Sequence, residues 1–152
     1  MEKRKRTLWI VTELFPPDET STAYIMGEIA NTFVSKYKVK VICGSEVYDK
    51  RKKIDQNNAF KTNASIEVIR AHSVSLDKKT IKGKVLGFLL VSHRLLKLAK
   101  RHIQKEDKVL MVTNPAPLVI LMSCLKKKIG FELNILVHDV FPENSAKIFR
   151  IA

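Results

Sequence analysis

Two groups of side chains in this 152-residue chain have the types that acid–base or phosphate chemistry needs. The first is His138-Asp139, directly after an apolar run at 132–137. An imidazole beside a carboxylate at a strand end can bond a sugar-like hydroxyl or move a proton near neutral pH. The plainer alternative has His138 bonded to a loop carbonyl and Asp139 capping the next turn, with Pro142 and Glu143 opening a helix. The second group is the loop Glu13-Leu-Phe-Pro-Pro-Asp-Glu-Thr-Ser-Thr22. Two adjacent prolines end the preceding strand. Thr20, Ser21 and Thr22 can then cap a helix whose first N–H groups face the loop, a place suited to an anion such as a nucleotide phosphate. An ordinary capped connection fits the same residues. Asn114, in Thr113-Asn-Pro-Ala-Pro117, can bind a hydroxylated ligand from a lip stiffened by its prolines.

The elements that must position these groups follow from periodicity. Apolar runs at 7–12, 38–43, 66–71, 108–113 and 132–137 read as strands. Ala23, Met26, Ile29, Ala30, Phe33 and Tyr37 mark an amphipathic helix, and further helices are expected at about 82–104 and 118–128. The stretch 45–65 is polar and without pattern. Alternating strands and helices imply parallel pairing through right-handed crossovers. The expected architecture is an open, doubly wound, mostly parallel α/β sheet in three layers, one domain over 1–152. Such sheets bind ligands beyond the carboxyl ends of their strands. Those ends carry Glu13, Gly44, His72, Asn114 and His138.

The formal charge of +13 favours polyanions: nucleic acid, phosphorylated ligands or an anionic membrane face. Cys43 and Cys124 lie in apolar contexts without metal-ligand spacing, so buried thiols are expected. The basic segment at 2–6 precedes too short an apolar run for a signal peptide. The uncharged stretch 109–125 is broken by prolines and reads as strand, loop and helix, not as a membrane span. No G-x-G-x-x-G and no G-x-x-x-x-G-K-[ST] is present, which argues against a nicotinamide-type dinucleotide domain and a P-loop nucleotidase. Gly27 is expected to let its helix pack closely on the sheet.

On the long helix, Val85, Phe88, Leu89, Ser92, Leu96, Ala99 and Ile103 form the expected core stripe. Leu86 and Leu90 fall instead on an arc with His93, Arg94, Lys97, Lys100 and Arg101. Leucines beside cations suit an anionic membrane surface; contact with another domain, or a solvated face, fits the same pattern.

Four stretches carry a likeness to a known family: Ile10-Val-Thr-Glu-Leu-Phe-Pro-Pro-Asp-Glu-Thr-Ser-Thr-Ala-Tyr24, Lys38-Val-Lys-Val-Ile-Cys-Gly44, Thr113-Asn-Pro-Ala-Pro117 and Val137-His-Asp-Val-Phe-Pro-Glu-Asn144. Together, and in this order, they resemble the N-terminal, acceptor-side domain of family 4 retaining GT-B glycosyltransferases, in particular members that build bacterial surface polysaccharides. The resemblance implies a Rossmann-like half of a GT-B fold. It implies transfer of a sugar from a nucleotide sugar to a glycan or lipid-linked acceptor, with the donor as substrate and no cofactor or metal. It places the loop around Thr20, Ser21 and Thr22 near the donor diphosphate and His138 near the transferred sugar. Many members have a Gly-Gly pair where this chain has Glu19-Thr-Ser21. The family's second half, with its carboxylate pair for the donor, is absent, so the chain alone is expected to be inactive. The expected setting is the cytoplasm, with peripheral contact on the inner membrane face.

Two rivals from other classes stay in view. A nucleic-acid module would use the positive charge, but its basic helix lacks interleaved aromatics for stacking bases, and no nucleic-acid partner is expected. A non-catalytic scaffold would dock on membranes through residues 82–104.

Overall fold

The computed structural model describes residues 6–45, 60–72 and 81–137, and only the backbone of residues 81, 82 and 84. Among them, five strands form one parallel sheet in the order β3-β2-β1-β4-β5. They are β1 (Thr7–Thr12), β2 (Lys38–Cys43), β3 (Glu67–Arg70), β4 (Lys108–Val112) and β5 (Glu132–Leu136). Among the described residues, three helices lie between them: α1 (Ser21–Phe33), α2 (Ile81–His102) and α3 (Ala116–Ile129). The expected doubly wound α/β architecture is the observed one, with strand boundaries within a residue or so of those read from the sequence.

β1 is central and pairs on both edges, Ile10 with Val41 on one side and Leu110 on the other. Its side chains meet helices on both faces, which explains the unbroken apolar run. On one face Ile10, Val39, Val41 and Val112 pack with Phe15, Met26 and Ala30 beneath α1. On the other, Trp9, Val11, Ile42, Val109 and Met111 pack with Leu95, Ala99, Leu118 and Met122 of α2 and α3. The chain thus leaves β1 toward one face and β4 toward the other.

Cross-strand contacts tie the amino ends of the strands. Lys40 pairs with Glu67 at 2.6 Å, and Lys108 with Glu132 at 2.7 Å, each joining residues in register. Asp107 is a junction: its Oδ2 accepts from Trp9 Nε1 at 3.0 Å and from the Gln104 N–H at 2.9 Å. Its carbonyl accepts the Glu132 N–H at 2.9 Å. α3 begins at Ala116, two residues earlier than the sequence suggests, because Pro117 in the first turn has no N–H to leave unpaired. It ends at Gly130, whose φ of 90° permits its N–H to reach Lys126 O at 2.8 Å.

Two expectations need correction. Cys43 is buried, but Cys124 is exposed, on the face of α3 that turns away from the core. The core stripe of α2 is buried only in its second half, where Ser92, Leu96, Ala99 and Ile103 are joined by Leu95. Val85, Phe88 and Leu89 are 54%, 45% and 49% exposed. Length is the reason: a helix of 22 residues is about 33 Å long, against about 17 Å for a five-residue strand. Arg94, past the middle of α2, donates to His72 O, just beyond the end of β3. The turns of α2 before Val91 therefore overhang the carboxyl edge of the sheet. Periodicity shows which way a side chain points, not whether anything lies there.

Candidate functional site

The carboxyl edge between β1 and β4 is the topological switch point, where diverging connections leave a crevice for a ligand. One wall is the loop from Glu13 to Thr20, and the other begins at Thr113 and Asn114. Adjacent strands in level register (Val11 opposite Met111) bring these two segments to the same edge. Glu13, Thr20, Thr22 and Asn114 are half-buried there and Ser21 is exposed. His138 and Asp139 lie outside the described residues, so the structure does not bear on them.

The first loop is held from several sides. The Glu13 carbonyl accepts the Gly44 N–H at 2.9 Å, an approach so close that a Cβ on Gly44 would lie 2.5 Å from that oxygen. Within the loop, Thr12 Oγ1 donates to Leu14 O at 3.0 Å, and the Phe15 N–H donates to Asp18 Oδ2 at 3.4 Å. From the edge strand, the Arg70 guanidinium donates to Pro16 O and, at 3.5 Å, to Gly44 O. It thereby fastens the loop after β1 to the end of β2. Gly27 lets α1 approach Pro16 and Phe60, rather than the sheet as expected. Both Pro16-Pro17 and Asn114-Pro115 are cis.

Of the three hydroxyl residues at the start of α1, Thr20 is the cap. Its Oγ1 accepts the Ala23 N–H at 3.2 Å, and its carbonyl accepts the Tyr24 N–H at 3.0 Å. That leaves the Ser21 and Thr22 N–H groups without an acceptor inside the helix, at its positive end. The Ser21 hydroxyl is the exposed polar group beside them. Arg70 and Gly27 are the site residues that sequence reasoning missed or misplaced. Gly27 carried a signal, as a glycine inside a helix; Arg70, in an ordinary strand pattern, carried none.

Among the membrane-facing candidates, Leu86 is 48% exposed and Leu90 is half-buried. Lys97, Lys100 and Arg101 are exposed, whereas Arg94 is half-buried and engaged with His72 O. No helix among the described residues is long and apolar enough to cross a membrane. No group of three or more His, Cys, Asp or Glu suited to a metal ion occurs among them.

The strand order and the flanking helices define a Rossmann-like α/β domain. Among solved structures, the chain is similar to TcCGT1 in complex with UDP, at 10% identity and a TM-score of 0.56. That match covers 88% of this chain and 28% of the other. It is also similar to UGT2 of Phytolacca americana complexed with UDP-2fluoro-glucose and pterostilbene, at 13% identity and a TM-score of 0.50. There the match covers 100% of this chain and 36% of the other. The chain thus spans about a third of the length of these structures, and the likeness is one of fold. Neither a protein-family model nor a curated relative matches the sequence.

Proposed function

We propose that the chain is the acceptor-side domain of a GT-B glycosyltransferase, one that takes a sugar from a nucleotide sugar to a glycan or lipid-linked acceptor. One observation carries this reading. Three of the four stretches of family 4 likeness fall in full within the described residues, and each contains residues at, or directly after, the carboxyl end of β1, β2 or β4. That edge holds the crevice where an open α/β sheet binds its ligand. Both structural neighbours hold a UDP group in their complexes, which fits the same reading.

In this reading the α1 amino end, with the Ser21 and Thr22 N–H groups, faces the donor diphosphate. Thr20 acts through its cap and Arg70 by fixing the loop. Asn114 meets a hydroxyl of the acceptor or sugar from the facing wall. His138 and Asp139 follow β5 in the sequence, and the family 4 resemblance assigns His138 to the transferred sugar. Retention of anomeric configuration and a role in bacterial surface polysaccharide synthesis rest on the family 4 resemblance, as does cytoplasmic, peripheral placement.

The test uses the full polypeptide that the gene encodes. It is incubated with a panel of nucleotide sugars and with lipid-linked or polysaccharide acceptors, and nucleoside diphosphate release is followed. Release that requires both partners is expected. A full-length protein that binds no nucleotide sugar and releases no nucleoside diphosphate with any acceptor overturns the reading.

A further inference from the structure

The outer face of α1 joins an aromatic ring to polar groups. At about 100° per residue, Ser21, Tyr24, Ile25 and Glu28 fall within an arc of about 100°, and all four are exposed. Tyr24 is 58% accessible and lies one turn from the Ser21 hydroxyl at the crevice. It is also braced. The Phe60 ring meets it edge to face, with centroids 5.4 Å apart and planes at 83°. Phe60 in turn sits over Gly27, where a Cβ would lie 2.6 Å from its ring. The residues after Phe60 are fastened along the same flank of the helix: Asn31 Nδ2 donates to Lys61 O at 3.0 Å, and Asn31 Oδ1 accepts the Asn63 N–H at 2.9 Å. A glycine inside a helix costs about 1 kcal/mol against alanine. Here it makes room for the ring that holds Tyr24. An aromatic side chain held open in one orientation gives up little freedom when a ligand covers it.

We propose that this face of α1 is a glycan subsite, with Tyr24 as the platform on which a sugar ring of the acceptor stacks. Ser21 and Glu28 then bond the hydroxyls around that ring. A sugar presents an apolar C–H face and a polar rim, and an aromatic ring flanked by a hydroxyl and a carboxylate complements both. Charge selects this occupant. The chain carries +13, yet α1 has no lysine or arginine, and Glu28 is its one charged residue. Lys61, exposed on the flanking segment, balances it. A nucleic acid or an anionic bilayer finds no basic face here. The core of a protein interface is poor in serine and glutamate. A neutral, polyhydroxylated chain suits the whole patch. That this chain is an acceptor rests on the glycosyl-transfer reading. Because the platform lies a turn away from the crevice, it holds sugar units beyond the one that reacts.

The experiment applies the full polypeptide to an array of neutral and acidic oligosaccharides, maltopentaose and cellopentaose among them, and follows the best-bound neutral one by titration calorimetry. Binding that depends little on salt is expected. Tyr24→Ala lowers the affinity about tenfold, whereas Tyr24→Phe stays within about twofold. Tyr24 is exposed, and the buried Trp9 reports that each variant is folded. Tyr24→Trp still binds, and its added emission changes as the sugar covers the ring, with the parent chain as blank. Titration of the parent with nucleotide sugars tests the transfer reading separately. Glycan binding lost in Tyr24→Ala upholds the subsite even where no nucleotide sugar binds. Nucleotide-sugar binding without a glycan held through Tyr24 overturns the subsite and leaves the transfer reading standing. Binding of acidic glycans alone, no glycan bound, equal affinity in Tyr24→Ala, or an unresponsive Tyr24→Trp likewise overturns the proposal.

Discussion

Replacing Gly27 by alanine sets two effects of opposite sign against each other. Alanine is favoured over glycine inside a helix by about 1 kcal/mol, so on propensity alone the variant is more stable. The structure puts other atoms where the new methyl would go. A Cβ on Gly27 lies 2.6 Å and 2.7 Å from Phe60 Cε1 and Cζ, and 2.8 Å from Pro16 Cγ. Carbon pairs settle near 3.5–4.0 Å, so each contact must open by about 1 Å. The Phe60 ring can give by turning, at the expense of its edge contact with Tyr24 (centroids 5.4 Å apart). Pro16 is buried, and its carbonyl holds Arg70, so it gives less. Overpacking of this kind costs about 1–3 kcal/mol.

The net expectation is destabilisation by about 1 kcal/mol, the helix gain offsetting part of the clash. Trp9, the single tryptophan, is 2% exposed and serves as the fluorescence probe in urea unfolding. With a slope near 2 kcal/mol per molar urea, the midpoint falls by about 0.5 M. The double variant with Phe60→Ala separates the contacts: against Phe60→Ala alone, the added methyl costs less than in the parent, and the difference is the ring's share. A midpoint that rises in Gly27→Ala, or a cost unchanged by removing the ring, refutes the reasoning.

Asp107→Ala leaves the buried Trp9 Nε1–H without its acceptor, at a cost of about 1–3 kcal/mol, while Asp107→Asn loses less because an amide oxygen can still accept. Chemical denaturation of the two variants checks the order. Ser92 Oγ is buried without a hydrogen-bond partner among the described residues, so Ser92→Ala is expected to stabilise by about 1 kcal/mol, read as a rise in thermal midpoint. Hydrogen bonds from Lys40 to Glu67 and from Lys108 to Glu132 hold both carboxyls below their usual range. Their contribution is present above the unfolded carboxylate pKa and is lost as pH falls through the lower folded value, that is, from about pH 4.5 downward. Glu67→Gln with Glu132→Gln therefore flattens the acid decline in stability. The glutamate of each pair is solvent-exposed, so the change is small and shrinks with added salt.

The sheet was legible because every strand has its own apolar run, and β1, β3 and β4 are marked a second time by the helical spacing that follows. β1 and α1 show this best: Trp9 to Val11 needs two covered faces, and Met26 with Ala30 supplies one of them. The candidate loop was legible through its prolines and hydroxyls, and Thr20 caps as its type suggests. What could not be read was tertiary reach. Nothing local marks Arg70 for Pro16, 54 residues away, or Asp107 for Trp9, 98 residues away. The apolar spacing of α2 continues unchanged past the point where the sheet ends, so a core stripe and an overhang look alike in sequence.

The strand order also sets a timetable for synthesis. β1 finds β2 by residue 43, but its other edge waits for β4, which starts at residue 108. At about 5–20 residues per second, the intervening 65 residues take roughly 3–13 s to emerge. Through that interval the central strand, carrying Leu8, Trp9, Ile10 and Val11, presents an unpaired apolar edge to whatever else is in the crowded space around the ribosome. The most protected strand of the finished protein is thus its most vulnerable one in the nascent chain. Release before residue 108 leaves a product with that edge permanently open, a substrate for chaperones or for aggregation.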